Sequence, residues 1–447
     1  MSSESALSRR SFLQKTTLAT AAASAFPAIV RGQKDGVAPT NRVNVAFVGV
    51  GGRGTSALQA LADENFVAFC DVDDERAKES YEKYPDVPRF RDYREMFAEM
   101  ADKIDAVVIT TPDHMHFPIA MAALKHKMHL YVEKPLTHTV EEARLLTEAA
   151  REAGVVTQMG NQGHSNEGTR LTKEWIQAGV LGEIREVHSW TNRPVWPQGL
   201  KVPNHSKMRP VVPKTLDWDL WLGVAQKRAY DPAYLPFSWR GWWDFGCCAF
   251  GDMACHIMDA AYWGLDLGSP TALEAFSAKN SEQNGPVSSV VQYEFAARKS
   301  QPALTWKWYD GGLTPPFPAN WEDGREYAKS GTMIIGSEAS MVNATYGESP
   351  RIFPSSDMRK VGPKLPPKTL PRVETSNHHL AWCNAIRDSR QPASNFDYAG
   401  PFTETVLLGN AAIRANRRLD FDAKNVRFTN YEPANAYLTK DYRPGFY

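Results

Sequence analysis

Two short stretches hold side chains able to move a proton and steady a charge. His129-Leu-Tyr-Val-Glu133-Lys134-Pro135 reads as a buried strand running into a lysine held by the following proline. An ammonium at such a strand exit can donate to a ligand hydroxyl and stabilise the oxygen as negative charge develops on it. Gly251-Asp252-Met-Ala-Cys-His256-Ile-Met-Asp259 reads as a helix whose positions 252, 256 and 259, spaced i, i+4 and i+7, share one face. A carboxylate and an imidazole can then point together into a crevice, and histidine, with an ordinary pKa of ~6.5, suits proton transfer. Taken singly, a histidine on a helix face is more often structural and a lysine more often solvated. Cys247, Cys248, Cys255 and His256 do not read as a metal site, because adjacent cysteines ligate one ion poorly and no second C-x-x-C is present. The five cysteines have no regular spacing and are not a disulfide framework.

The elements that must position these groups start at Val43. Val43 to Val48 is a buried-strand run, followed by Gly49-Val-Gly51-Gly52-Arg53-Gly54, a helical pattern, and a second apolar strand ending at Asp71. Gly49 suits a tight turn, Gly51 a close approach of backbone to a pyrophosphate, and Gly54 a helix set close to the strand; the helix N-terminus attracts phosphate charge. Asp71, 22 residues beyond Gly49, stands where a carboxylate accepts the adenosine ribose hydroxyls. The stretch is a dinucleotide-binding unit. Ile104 to Thr110 is a further buried strand entering Thr111-Pro112-Asp113-His114-Met115-His116, a loop that faces the crevice in a doubly wound sheet. His114 or His116 could contact ligand or serve as a satisfied loop histidine, with His116 the preferred contact.

The glycine unit, the Thr-Pro-x-x-x-His loop and Glu133-Lys134-Pro135, in this order and spacing, resemble the glucose-fructose oxidoreductase, inositol dehydrogenase and rhizopine-catabolism family, Gfo/Idh/MocA. The glycine-rich lead-in to Asp252-x-x-x-His256 matches the family's catalytic segment, and His379 to Arg387 its late helix. The resemblance implies a Rossmann doubly wound parallel sheet followed by an α+β domain with a large open, mostly antiparallel sheet. It also implies Lys134 as hydroxyl orienter, His256 as general base and Asp252 as its substrate-binding and orienting partner. The cofactor set is Gly49, Gly51, Gly52, Arg53, Gly54, Asp71, Thr111, Pro112, His116, Glu133 and Lys134. NAD is expected over NADP, because Asp71 would repel a 2′-phosphate, although Arg76 stands nearby. Homo-oligomerisation through the C-terminal sheet is implied in the same way.

The 447 residues fall into 1–39, 41–160 and 161–447. In the first, Ser8-Arg9-Arg10-Ser11-Phe12-Leu13-Gln14, a weakly apolar run and Ala23-Ser24-Ala25 resemble a twin-arginine export signal, departing in Gln14 where lysine is common. The run is far short of the ~18 apolar residues of a membrane span, and export to the periplasm without stable membrane insertion is expected. Residues 41–160 are the nucleotide domain. Period-two runs from Glu183 to Ala344 indicate the open sheet of the third part, interrupted by a Trp- and Pro-rich insertion, 192–245. Seven of the 13 tryptophans (190, 196, 218, 221, 239, 242 and 243) fall in or beside it, suited to sugar C–H faces or equally to core packing. Asn161, Gln162, His164 and Trp196 are the candidate substrate contacts.

Lys+Arg and Asp+Glu both number 51, so no basic surplus favours nucleic acid or an anionic membrane. The expected ligand is a small sugar, polyol or glycoside. The expected chemistry is oxidation of a hydroxyl by an exported enzyme that keeps its nucleotide. One alternative is a glycosidase that oxidises transiently, eliminates and re-reduces; another is a catalytically inactive exported sugar-binding protein.

Overall fold

Six parallel strands form the first sheet: β1 (Asn44–Val48), β2 (Asn65–Cys70), β3 (Arg89–Phe90), β4 (Ala106–Ile109), β5 (His129–Glu133) and β6 (Thr157–Gly160), in the order β3-β2-β1-β4-β5-β6. Helices cover both faces, so β1 and β4 are apolar almost without interruption and buried along nearly their whole length. Strand order reverses between β1 and β4, which opens a crevice beyond their carboxyl ends. The computed structural model describes residues 41–446 apart from 202, 204–209 and 299–300, and the twin-arginine segment lies outside the described residues. No helix among the described residues is long and apolar enough to cross a membrane.

The glycine loop leads into α1 (Arg53–Ala60), and Thr139 and Glu142 form a reciprocal cap on α2 (Val140–Ala153). After α3 (Glu167–Gln177) the chain enters a mixed, mostly antiparallel nine-stranded sheet. Its strands are β7 (Ile184–Thr191), β8 (Ala272–Ala278), β9 (Ser288–Phe295), β10 (Leu304–Tyr309), β11 (Ser330–Gly336), β12 (Ser340–Asn343), β13 (Arg351–Phe353), β14 (Leu419–Asp422) and β15 (Arg427–Phe428). The order is β13-β12-β11-β7-β10-β9-β8-β14-β15, and β7 with β10 is the parallel pair. Along β9 buried and half-buried residues alternate strictly, the physical origin of the period-two signal.

Helices α4 (Cys248–Ile257), α5 (Asp259–Gly264), α6 (His378–Arg387) and α7 (Phe396–Ala415) complete the scaffold. The chain returns to the first sheet late. The Met159 amide donates to the Ser394 carbonyl at 3.0 Å, and the Gln158 side chain donates to the His378 carbonyl at 2.6 Å. Helix α7 gives little amphipathic signal because it is buried almost all round, and it contains Pro401.

The insertion 192–245 builds a small core of its own, in which Trp218 stacks on Trp221 with ring centroids 5.0 Å apart and Tyr234 packs against Trp242 and Phe245. Most of its tryptophans therefore serve packing. Its backbone also pairs with the nucleotide domain just past Asp71: Asp217 N donates to Val72 O at 2.8 Å and Asp74 N to Thr215 O at 3.0 Å.

Candidate active site

A cavity of 520 Å³ runs from the glycine loop to α4. At one end lie Gly49, Gly51, Gly52, Arg53 and Asp71; at the other, Lys134, His256, Gln162, Tyr346 and Arg240; Thr111, Pro112, His116 and Glu133 line it between. Sequence-distant motifs thus share one chamber because the crevice at the sheet's switch point faces the helix that follows the insertion.

The glycines explain the first end. Gly49 has φ +88°, a left-handed conformation that favours glycine, and its amide donates to the Cys70 carbonyl at 2.8 Å. A Cβ at Gly54 would lie 2.2 Å from the Gly49 carbonyl oxygen, so α1 can sit on the turn only without one. Gly51 has a different reason from the one its motif suggests. A Cβ there would lie 2.4 Å from the Arg76 carbonyl oxygen, so what it clears is the backbone of the neighbouring helix.

Asp71 is also more committed than expected. Its Oδ2 accepts from the amides of Val50 (2.9 Å) and Gly51 (3.2 Å), and Oδ1 accepts from the Asp73 amide (3.1 Å). With about four lone-pair sites on a carboxylate, one remains for a ribose hydroxyl rather than a pair. Burial pushes the Asp71 carboxyl up, and the three amide donors resist that shift. The residues fit a dinucleotide on a further count: the Thr111 hydroxyl is buried on the cavity wall with no protein partner.

At the far end, Lys134 Nζ donates to Asp252 Oδ1 at 2.6 Å and to the Asp252 carbonyl at 3.0 Å. An ammonium has three donors, so one is left for the cavity. Arg240 Nε donates to the same Asp252 Oδ1 at 3.2 Å. Burial works to raise the Asp252 carboxyl, but the Lys134 and Arg240 charges prevail and hold it well below the usual carboxylate range. Burial, reinforced by the Lys134 charge, pushes the His256 imidazole well below its ordinary pKa, against the opposing pull of Asp252. The ring is therefore neutral in the working range. Its Nδ1 is buried without a hydrogen-bond partner, and the ring meets Tyr346 edge-on at 4.9 Å.

Several sequence candidates sit elsewhere than expected. Asp259 does not line the cavity with His256; it lies past the end of α4, opens α5 and is fully buried. Asn161 and His164 turn away from the cavity toward it: Asn161 Nδ2 donates to Asp259 Oδ1 at 3.0 Å, and His164 Nδ1 approaches both carboxylate oxygens at 3.0 Å. Both side chains are anchored behind the site on a buried acid and do not line the cavity. Trp196 is likewise buried, its indole N–H spent on Gln198, and it packs behind Phe237.

His116 lines the cavity, but its two ring nitrogens lie 2.8 and 2.9 Å from the carbonyls of Pro135 and Thr111, so it ties two loops together. His114 is fully buried between the Phe245 and Trp221 carbonyls, and burial pushes it down to about 3. Glu133 accepts from Arg53 Nε (2.9 Å) and Gln162 Nε2 (2.8 Å). Its carboxylate fixes these two cavity residues in place.

Arg240, Phe237 and Tyr346 were not singled out in the sequence, and Trp239 was named only as one of seven clustered tryptophans. The Arg240 guanidinium lies 4.1 Å from the Phe237 ring centroid and 4.2 Å from that of Trp239. The one legible signal was the Phe-Ser-Trp-Arg order inside an aperiodic insertion.

Comparison with known proteins agrees with this layout. Residues 43–161 match the family model described as an oxidoreductase family, NAD-binding Rossmann fold, and residues 170–297 its C-terminal alpha/beta domain. The chain is 31% identical over 94 residues to 2,7-anhydro-N-acetylneuraminate hydratase of Escherichia coli (strain K12), covering 20% of this chain and 25% of that protein. It is 29% identical over 152 residues to inositol 2-dehydrogenase of Salmonella typhimurium, covering 33% of this chain and 45% of that one. The match thus spans less than half the length of these curated relatives. Among solved structures, levoglucosan dehydrogenase in complex with NADH and levoglucosan superposes with a TM-score of 0.57 at 18% identity, covering 85% of this chain and 99% of that chain. The WlbA dehydrogenase of Bordetella pertussis, in complex with NADH and UDP-GlcNAcA, does so with the same TM-score, identity and coverage. At that identity these likenesses speak to the fold.

Proposed function

The chain belongs to the Gfo/Idh/MocA oxidoreductases, with an NAD-binding Rossmann domain, and from that premise we propose that it oxidises a hydroxyl of a sugar, polyol or glycoside. The observation that carries the reading is the Lys134–Asp252–His256 constellation at the end of the cavity whose other end is the glycine loop. NAD, when bound, supplies the hydride acceptor. The third Lys134 donor holds the substrate oxygen as charge builds on it. Neutral His256 receives the hydroxyl proton, and Asp252 supplies the compensating charge as the imidazolium forms. Leu235, Pro236 and Phe237 of the insertion wall the cavity and restrict water.

Export by the twin-arginine route and retention of one nucleotide through a redox-neutral cycle belong to the same proposal. Retention is supported by the backbone pairing of 215–217 with 72–74, which must part before the adenosine end can open fully. The test is mass spectrometry of nucleotide released from purified protein, then a sugar and glycoside screen with no added cofactor. Turnover without added NAD supports retention; an apo protein that works only with millimolar NAD overturns it. Exchange of His256 for Ala should abolish turnover and spare nucleotide binding, and unchanged turnover overturns the assigned base. A net glycosidase outcome would appear in the same screen as aglycone release with no net change in nucleotide redox state. An inactive sugar-binding protein would show binding and no turnover.

A further inference from the structure

A second cavity, of 220 Å³, is lined in part by Trp243, Asp244, Gly246 and Cys247, ahead of α4, and shares no lining residue with the first. Helix α7 supplies Asn410 and Arg414, the loop before α2 supplies His138, and the C-terminal segment supplies Tyr437 and Lys440. None of these residues takes part in the mechanism above.

Its charges are unusual for a half-buried place. The Arg414 guanidinium lies 4.2 Å from the Tyr437 ring centroid and 5.5 Å from that of Trp243, and among the described residues it makes no hydrogen bond or ion pair. Stacking between two rings fixes the plane of the guanidinium and leaves its N–H fork unspent. Lys440 Nζ is 3.2 Å from His138 Nδ1, a neutral acceptor, and among the described residues it holds no carboxylate in an ion pair. Burial and the Lys440 charge together keep His138 unprotonated. Two ammonium donors of Lys440 therefore remain.

The nearby acids are already engaged. Glu142 accepts from the amides of His138 (2.9 Å) and Thr139 (3.0 Å) and from the Tyr442 hydroxyl, and Asp244 is paired with Arg228. Asn410 adds a polarity of its own. Its Nδ2 donates to the Cys247 carbonyl at 2.9 Å, which fixes the amide orientation, and its buried Oδ1 has no partner among the described residues. The cavity thus offers a cationic fork, a free ammonium and one orphaned acceptor, a set completed by an oxyanion that keeps a proton to give.

We propose that this cavity binds a phosphate-type oxyanion that keeps a proton, free phosphate or the monoanion of a monoester, between Arg414 and Lys440, with its P–OH donated to Asn410 Oδ1. The inference is independent of the redox reaction proposed above. The test titrates inorganic phosphate and inorganic sulfate, at constant ionic strength, into the full chain saturated with NAD so that the nucleotide's own phosphate sites are filled. Saturable phosphate binding at one site is expected. Sulfate, with no proton at neutral pH, should bind several-fold more weakly. Arg414→Gln and Lys440→Gln should each weaken phosphate binding by about tenfold or more, as expected for loss of charge-assisted hydrogen bonds, with NAD binding unchanged as the control on folding. Absence of saturable binding, or equal binding in both variants, overturns the site. Sulfate binding as tight as phosphate overturns the role of Asn410. The wild-type comparison of the two anions stands even if a variant fails to fold. Glycerol phosphate as a third titrant separates the sources, since a monoester that binds more tightly than free phosphate identifies an organic ligand.

Discussion

Asp252 and Asp259 stand seven residues apart, one within α4 and one opening α5, and differ in what surrounds them. Asp252 is held by two cations that line the cavity, Lys134 at 2.6 Å and Arg240 at 3.2 Å. Asp259, sealed behind the site, is held by three side chains, Asn161 at 3.0 Å, the Tyr398 hydroxyl at 2.6 Å and His164, whose Nδ1 must carry a proton to donate to the carboxylate. A cation pair on a cavity wall keeps donors in reserve, and a ligand can draw on them. The groups around Asp259 aim their donors at one buried carboxylate away from the cavity and lock α5 to the loop after β6. The same residue type is thus an instrument in one place and a fastener in the other.

The sharpest way to break this contrast is at the cation. Exchange of Lys134 for Met should lower kcat by about 10³-fold or more, the scale of losing an electrostatic donor and the substrate's orienter, with the melting temperature little changed. A loss under tenfold would mean that Asp252 and its cations are merely structural. The mirror experiment is Asp259→Leu, which orphans three buried donors at about 1–3 kcal/mol each. Thermal unfolding should then occur at markedly lower temperature, while the folded fraction keeps its kcat within a few-fold; a selective loss of kcat with stability intact would put Asp259 in the reaction. Arg240→Gln removes the second cation on Asp252 and should cost kcat/KM about tenfold, visible in steady-state kinetics, with smaller change in stability than Asp259→Leu.

The smallest expected effect is in the pH dependence of stability. His256 is held neutral in the fold well below its ordinary value, chiefly by burial, while the unfolded chain takes up that proton from about pH 6.5 downward. Its contribution to stability is therefore complete above that pH and erodes as pH falls through it. Denaturant midpoints compared at pH 7.5 and 5.5 should fall less in His256→Gln than in the wild type. A steeper fall in the variant would reverse the sign assigned here.

Much of this was legible in sequence where local chemistry and position coincide. The strand Val43 to Val48, the turn at Gly49 and the approach at Gly54 follow from steric rules that act within a few residues. The period-two runs Glu183 to Thr191, Leu273 to Ala278, Ser288 to Phe295, Ala303 to Tyr309, Thr332 to Ile335 and Ser340 to Ala344 meet β7 to β12 to within two residues at each end. Strands β13, β14 and β15, of two to four residues, are too short to show a period. Helix α7 was missed because burial on all sides removes the polar stripe that announces a helix.

In the site, Lys134, Asp252 and His256 were read from motif order, while Arg240 and Tyr346 were not. They reach the cavity from an insertion and from the turn after β12, and neither has a spacing that chemistry demands. Asn161 and His164 misled because a loop beyond a strand's carboxyl end has two sides, and only one faces the crevice.

The sequence by itself determined the nucleotide unit, the alternation of the second sheet and the identity of the groups able to handle a proton and a charge. These rest on short-range sterics and on side-chain chemistry, which a linear order preserves. Only the tertiary structure decided that Asp71 spends most of its acceptors on its own loop, that Asp252 rather than Asp259 meets the cations, and that Arg414 and Lys440 are left unpaired together. Hydrogen-bond satisfaction inside a folded protein is set by which distant segments bring their donors, and that is settled only when the sheet, the insertion and the late helices close on one another.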